Sequence, residues 1–362
     1  MRARRGPALT LIAAATTLIG ADARAAGAPP APVSVAYDWH LPRGFPTPAV
    51  PADNPMSGPK VALGRRLFFE PRLSITGHYS CGSCHDPARA FSDGRPVAIG
   101  ATGAALPHNA MALVNVAYNL SFGWTKPQLR SLEAQMLEPM LNEHPVELGM
   151  KGREAAVSAE LAADPAYARD FAAAFPAEAA PVSFANLVKA LGAFERTLIS
   201  GDSPFDRYVF GGEHDALDPQ AKRGMALFFS PRVGCAGCHS GFNFSGNWRD
   251  TQGPTGRASF ASNGTSKAAM RVPTLRNVAL TAPYMHDGRF ATLDAVLEHY
   301  SAIGARVRGA AAVTGGSLGY DPRLPRSPFT DAERAELRKF LQSLTDESFV
   351  SRFAASRAPA VP

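Results

Sequence analysis

Cysteine is scarce in this chain, four among 362 residues. None remains for a disulfide framework once two copies of a single pentapeptide have been set aside. Long apolar runs are also missing. Beyond the N-terminal run Ala8 to Ala21, no segment approaches the ~20 residues that span a bilayer, which argues against membrane insertion. Runs of alternating strand residues are few, so an all-α chain is expected. A strong excess of one charge is lacking too: 37 Lys and Arg face 31 Asp and Glu, a net +6. Residues 1–25 hold four Arg and one Asp, so removing them leaves 6 − 3 = +3. That balance gives no reason to invoke nucleic acid. No cluster of free Cys, Met or His is present to hold copper, so copper would enter only through a partner.

What the chain does have is Cys81-Gly-Ser-Cys84-His85 and Cys235-Ala-Gly-Cys238-His239. C-x-x-C-H is the c-type haem attachment sequence: two thiols bond the porphyrin, and His85 or His239 falls beneath the iron as proximal ligand. A structural zinc site or a disulfide pair would not place His directly after the second Cys twice. Two covalent haem c groups are therefore expected, and their propionates bring the holoprotein near neutrality. Arg2, Arg4 and Arg5 before the apolar run, with Ala23-Arg-Ala25 as cleavage site, read as a signal peptide over 1–25, hence a periplasmic protein.

The chain also repeats itself. Gly64-Arg-Arg-Leu67-Phe68-Phe69-Glu-Pro71-Arg72 returns as Gly224-Met-Ala-Leu227-Phe228-Phe229-Ser-Pro231-Arg232. Each copy reads as a helix running toward a haem motif, its Leu-Phe-Phe end available to pack on porphyrin. Asp218 and Pro219 mark one helix start, and Thr330-x-x-Glu333 is a capping box. Val182 to Ile199 places Phe184, Leu187, Val188, Leu191, Phe194 and Leu198 on one face. The expected organisation is two cytochrome c-type domains in tandem with long irregular loops (27–59, 86–109, 241–275). The leader spans 26–59, the first domain 60–200, the second 201–346, with a linker at 200–217 and a tail over 347–362.

With Ala90-Phe-Ser-Asp-Gly94, Leu132-Glu-Ala-Gln135, Pro145-Val-Glu147-Leu-Gly, Val272-Pro-Thr-Leu-Arg-Asn-Val278 and Pro283-Tyr-Met-His-Asp-Gly288, the chain resembles the bacterial di-haem cytochrome c peroxidase and MauG superfamily over nearly its whole mature length. Tyr37-x-Trp39-x-Leu-Pro-x-Gly-Phe-Pro46, Asp53-Asn-Pro-Met56 and Met140 to Gly149 resemble the branch containing the methanobactin-associated di-haem enzyme. That resemblance implies H₂O₂-driven oxidation of a tryptophan, through high-valent haem iron, on a partner protein of the same operon, with a copper-binding protein among the candidates.

The resemblance also implies roles. The first haem would be peroxidatic, with Gln135 and Glu147 as its distal pair, Pro139 beside its face, and Glu147 able to carry the proton that peroxide cleavage needs. Glu143 and His144, in a stretch two residues longer than the common pattern, compete for that role. Ordinary di-haem peroxidases close the first iron with a His at the position of Ala101, and Ala cannot ligate; His108 could still swing in. For the second, electron-transfer haem, Met285, His299 and Tyr300 are candidates, and the register favours Tyr300. Trp124 would bridge electron exchange between the haems. Asn109, Thr281 and Pro283 match the family's Ca²⁺ site, hard oxygen ligands suited to that ion. Val233 stands where the methylamine-dehydrogenase-maturing member has an exit Trp, which leaves Trp248 as the candidate exit. The alternatives are a peroxidase fed by a small redox protein and a non-catalytic di-haem electron carrier.

Overall fold

The computed structural model describes residues 37–246, 249–250, 253–254, 257–259, 269–314, 325 and 327–354; the expected signal peptide and Trp248 lie outside the described residues. Eleven helices occur among the described residues: α1 (Gly58–Phe68), α2 (Cys81–Cys84), α3 (Leu132–Leu141), α4 (Glu154–Ala163), α5 (Pro165–Ala174), α6 (Phe184–Glu195), α7 (Pro204–Val209), α8 (Pro219–Phe228), α9 (Leu293–Thr314), α10 (Asp331–Gln342) and α11 (Glu347–Ala354). Two short antiparallel pairs, β1 (Arg249–Asp250) with β2 (Gly253–Pro254) and β3 (Arg257–Ser259) with β4 (Ala269–Arg271), lie in a stretch expected to be loop. No helix among the described residues is long and apolar enough to cross a membrane.

Local signals start the helices. The Ser57 side chain accepts from Lys60 N ahead of α1, and Asp218 accepts from Ala221 N at 2.7 Å ahead of α8. Pro59 and Pro219 sit in the first turns, where a missing N–H is harmless. Thr330 and Glu333 bond reciprocally at the start of α10. The α6 helix is shorter than the periodic stretch 182–199 and stops at Glu195.

Two hydrophobic cores follow the repeat. In the first, α1 crosses α6 so closely that a Cβ on Gly64 would lie 1.9 Å from the Ala190 carbonyl; in the second, α8 crosses α10 and a Cβ on Gly224 would lie 1.9 Å from the Glu336 carbonyl. Only glycine permits such approach. The aromatic packing matches as well. Phe68 meets Phe69 at 5.1 Å, Phe91 at 5.8 Å and Phe194 at 5.3 Å. Phe228 meets Phe229 at 5.2 Å, Phe244 at 5.8 Å and Phe340 at 5.1 Å.

Two segments depart from the expected organisation. The linker 200–217 contains α7, whose Asp206 accepts from Arg276 Nη1 at 2.8 and 2.9 Å in a buried ion pair. The tail 347–362 begins with α11, which buries Phe349 and Phe353 against Phe91 in the first core. Apolar area removed from water holds it there, each large side chain contributing about 1.5–3 kcal/mol. Between the cores, Asn115 and Asn277 both take left-handed backbone, φ 56° and 59°. Asn115 exchanges bonds with the Ser200 backbone, and Asn277 Nδ2 donates to Ser200 Oγ. The Asp346 amide in turn donates to Asn277 Oδ1. This polar seam ties the first lobe to the second.

Candidate active site

Each C-x-x-C-H motif opens onto a cavity, about 70 Å³ for the first and about 350 Å³ for the second. The two histidines are held alike. His85 Nδ1 donates to the Phe91 carbonyl at 2.9 Å and His239 Nδ1 to the Phe244 carbonyl at 3.0 Å. Both phenylalanines adopt left-handed backbone, φ 61° and 50°, which costs a non-glycine residue roughly 1–2 kcal/mol. The carbonyl fixes the tautomer and leaves Nε2 as the basic nitrogen, the usual arrangement for an iron-ligating imidazole. Backbone groups of Met111 and Pro273 also face the two rings, and burial keeps both imidazoles neutral by lowering their pKa.

The thiols fit attachment rather than a thiolate metal site. Burial pushes the Cys84 thiol up to about 11 and that of Cys235 to about 12, whereas a thiolate ligand needs a depressed pKa. Among the described residues there is no group of three or more His, Cys, Asp or Glu able to hold a metal ion.

The first cavity gathers Cys81, Cys84 and His85 with Gln135, Pro139 and Glu147. The loop carrying Glu147 is clamped by backbone bonds: Leu148 N donates to Pro139 O (2.9 Å), Ile75 N to Leu148 O (2.8 Å) and Ala101 N to Glu147 O (2.7 Å). Desolvation holds the Glu147 carboxyl above its ordinary pKa, with Lys126 opposing and Glu138 adding. Glu143 and His144 lie off this wall and are exposed, Glu143 paired with Lys151. His108 also lies off it, its ring 5.7 Å from that of His286.

The second cavity gathers Cys235, Cys238 and His239 with Trp124, Met285, His299 and Tyr300. Tyr300 projects from α9, and burial raises its phenol pKa. Phe228 and the fully buried Val233 share the wall. Phe68, by contrast, packs in the core behind the first cavity. Trp124 Nε1 donates to the Asn109 carbonyl at 2.9 Å. The Asn109 amide donates to His286 O at 2.7 Å, three residues past Pro283, and its side chain donates to Arg95 O. Thr281 Oγ1 donates to Val278 O.

A family model for di-haem cytochrome c peroxidase matches residues 58–214. The chain is 36% identical over 306 residues to the methylamine utilization protein MauG of Methylorubrum extorquens, covering 82% of this chain and 81% of that one. It is 34% identical over 248 residues to the cytochrome c551 peroxidase of Pseudomonas aeruginosa, covering 65% and 69%. The crystal structure of a MauG-like protein associated with microbial copper homeostasis superposes with a TM-score of 0.76 at 36% identity, covering 90% of this chain and 98% of that one. The chain belongs to the di-haem cytochrome c peroxidase/MauG family.

It is thus a haem-dependent oxidoreductase with the mostly helical cytochrome c-type architecture of its structural neighbours. The family's two haem c groups fit the two anchored imidazoles and paired thiols described above. When bound they supply the one-electron chemistry with peroxide. Two features escaped the sequence reading. One is Glu195, on the first cavity wall, and the other is the burial of Arg276, whose segment 272–278 was read only as a family match, against Asp206.

Proposed function

We propose that this enzyme uses H₂O₂ to oxidise a tryptophan on a partner protein exported to the same periplasm and encoded beside it. The observation that carries the reading is the first cavity wall, whose only histidine among the described residues is His85. By the family resemblance Ala101 would take the position at which ordinary family peroxidases present a ligating His, and its amide donates to the Glu147 carbonyl. A first iron held by His85 alone has one side open to peroxide. There Glu147 would take the proton from the inner peroxide oxygen and return it to the outer one, with the Gln135 amide orienting the molecule. Tyr300 would ligate the second iron, where an anionic oxygen favours oxidised states and lets that haem store an equivalent. Trp124 would carry electrons between the haems, and Asn109, Thr281 and Pro283 would hold Ca²⁺ at the junction. A copper-binding partner is favoured by the MauG-like neighbour's association with copper homeostasis.

The test mixes holoenzyme, H₂O₂ and the neighbouring gene's product, with mass spectrometry of the partner's tryptophan peptides. A peroxide-dependent mass change on one such peptide is expected. An unmodified partner, together with fast peroxide-driven oxidation of a small reduced cytochrome, would favour the detoxifying peroxidase instead. That second reading has a specific basis, since identity to the cytochrome c551 peroxidase nearly equals that to MauG.

A further inference from the structure

The duplication provides an internal control for every buried group. A Cβ on Gly64 would meet Ala190 and Phe194 across the first helix crossing, and one on Gly224 would meet Glu336 and Phe340 across the second. This aligns Ala190-Leu-Gly-Ala-Phe-Glu-Arg-Thr-Leu198 with Glu336-Leu-Arg-Lys-Phe-Leu-Gln-Ser-Leu344. Thr197 Oγ1 bonds the Phe194 carbonyl just as Ser343 Oγ bonds that of Phe340, at 2.7 and 2.6 Å. Leu191 and Leu337 each line their own lobe's cavity. In this register Leu341, on the wall of the second cavity, has Glu195 as its counterpart on the wall of the first.

Glu195 is 5% exposed, and its Oε2 has no hydrogen-bond partner among the described residues. Two other buried charges are matched: Arg276 by Asp206, and Asp346 by Ser200, Ser348 and three backbone amides. The adjacent Arg196 commits Nη2 to Glu133 on α3 at 2.7 Å, and Glu133 also accepts from Asn54. On α1, Lys60 donates to Asn54 and to the Pro55 carbonyl. None of these groups bonds Glu195. A buried, unpaired carboxyl stays neutral, and burial pushes this one up to about 8, with Arg196 opposing and Glu133 adding.

We propose that Glu195 is a redox-linked proton site of the first haem, absent from the second, that binds one proton when that haem gains an electron and releases it when the electron leaves. In reduction an electrode mediator supplies the electron to the iron and water supplies the proton to the carboxylate; oxidation returns each to its source. The coupling is electrostatic. A more positive haem in a low-dielectric wall favours the carboxylate and a less positive one the acid. Glu195 thereby limits the net charge change in the pocket that must pass oxidising equivalents onward. The inference rests on the first cavity being a haem pocket and not on the identity of the partner.

The test is equilibrium spectroelectrochemistry of the holoprotein without peroxide, following both haems from about pH 6 to about pH 9. In the wild type the first haem's potential should fall as pH rises, while the second stays flatter. In E195Q, which keeps the shape, the first haem should lose that dependence. E195L, which copies the second lobe, should do the same and serves as the check if E195Q folds poorly. A flat first haem in the wild type would overturn the proposal. So would a slope surviving in E195Q, which would assign the proton to a haem propionate or to Glu147.

Discussion

In the first lobe Val114 precedes the left-handed Asn115; in the second the fully buried Arg276 precedes the left-handed Asn277. On the last core helix the asymmetry runs the other way, with Glu195 in the first lobe and Leu341 in the second. Each lobe has thus replaced one apolar position of a shared frame with a charge, and the two charges have different fates. Arg276 is satisfied by Asp206 and by the Phe242 carbonyl, so it locks the segment that presents Phe244 to His239. Glu195 is left without a partner at Oε2. The lesson is that a duplicated frame separates structural charge from redox-linked charge: the first is paired, the second is held ready.

The difference can be broken by removing a partner. Asp206→Ala leaves Arg276 buried and uncompensated, and should cost about 3–5 kcal/mol. Denaturant unfolding should show it, with the second haem's spectrum changing first. A variant as stable as wild type would mean that the pair does not hold the second lobe.

Closing the first iron should abolish the functional contrast. Ala101→His, if it drives the open population to about one per cent, should slow the reaction with peroxide about a hundredfold. Stopped-flow absorbance checks this, and an unchanged rate would show that position 101 does not face the iron. Glu147→Gln should slow peroxide activation at least about tenfold. In the wild type that rate should rise with pH through the raised Glu147 pKa, because the carboxylate form accepts the proton. The rise should therefore fall above the ordinary carboxylate range and vanish in the Gln variant. The smallest effect is expected at the second haem. If Tyr300 ligates that iron as proposed, Tyr300→Met would replace an anionic ligand by a neutral one, should raise that haem's potential and should leave the first haem's unchanged; a redox titration distinguishes the outcomes.

Much of this frame was legible because its signals are local. C-x-x-C-H, the Asp218-Pro219 helix start and the Thr330/Glu333 box each act within a few residues, and the Gly64/Gly224 repeat announces a duplicated crossing. The fate of α11 was not legible: Phe349 and Phe353 lie on a short helix, and nothing nearby says that they belong to the first core. Asp206 looked like linker because its partner lies seventy residues on. Glu195 was hidden for a different reason. On α6 it reads as a polar face, and only alignment with Leu341 reveals a carboxyl placed at a core position. The Phe-x-x-x-Leu match of 194–198 with 340–344 was the available clue.

The central claim is that one haem is open and the other closed. Low-temperature EPR of the diferric protein tests it most directly. A high-spin first haem beside a low-spin second haem, the latter altered in Tyr300→Phe, is the predicted result. Two low-spin haems would contradict the account, showing the first iron closed by a side chain such as His108.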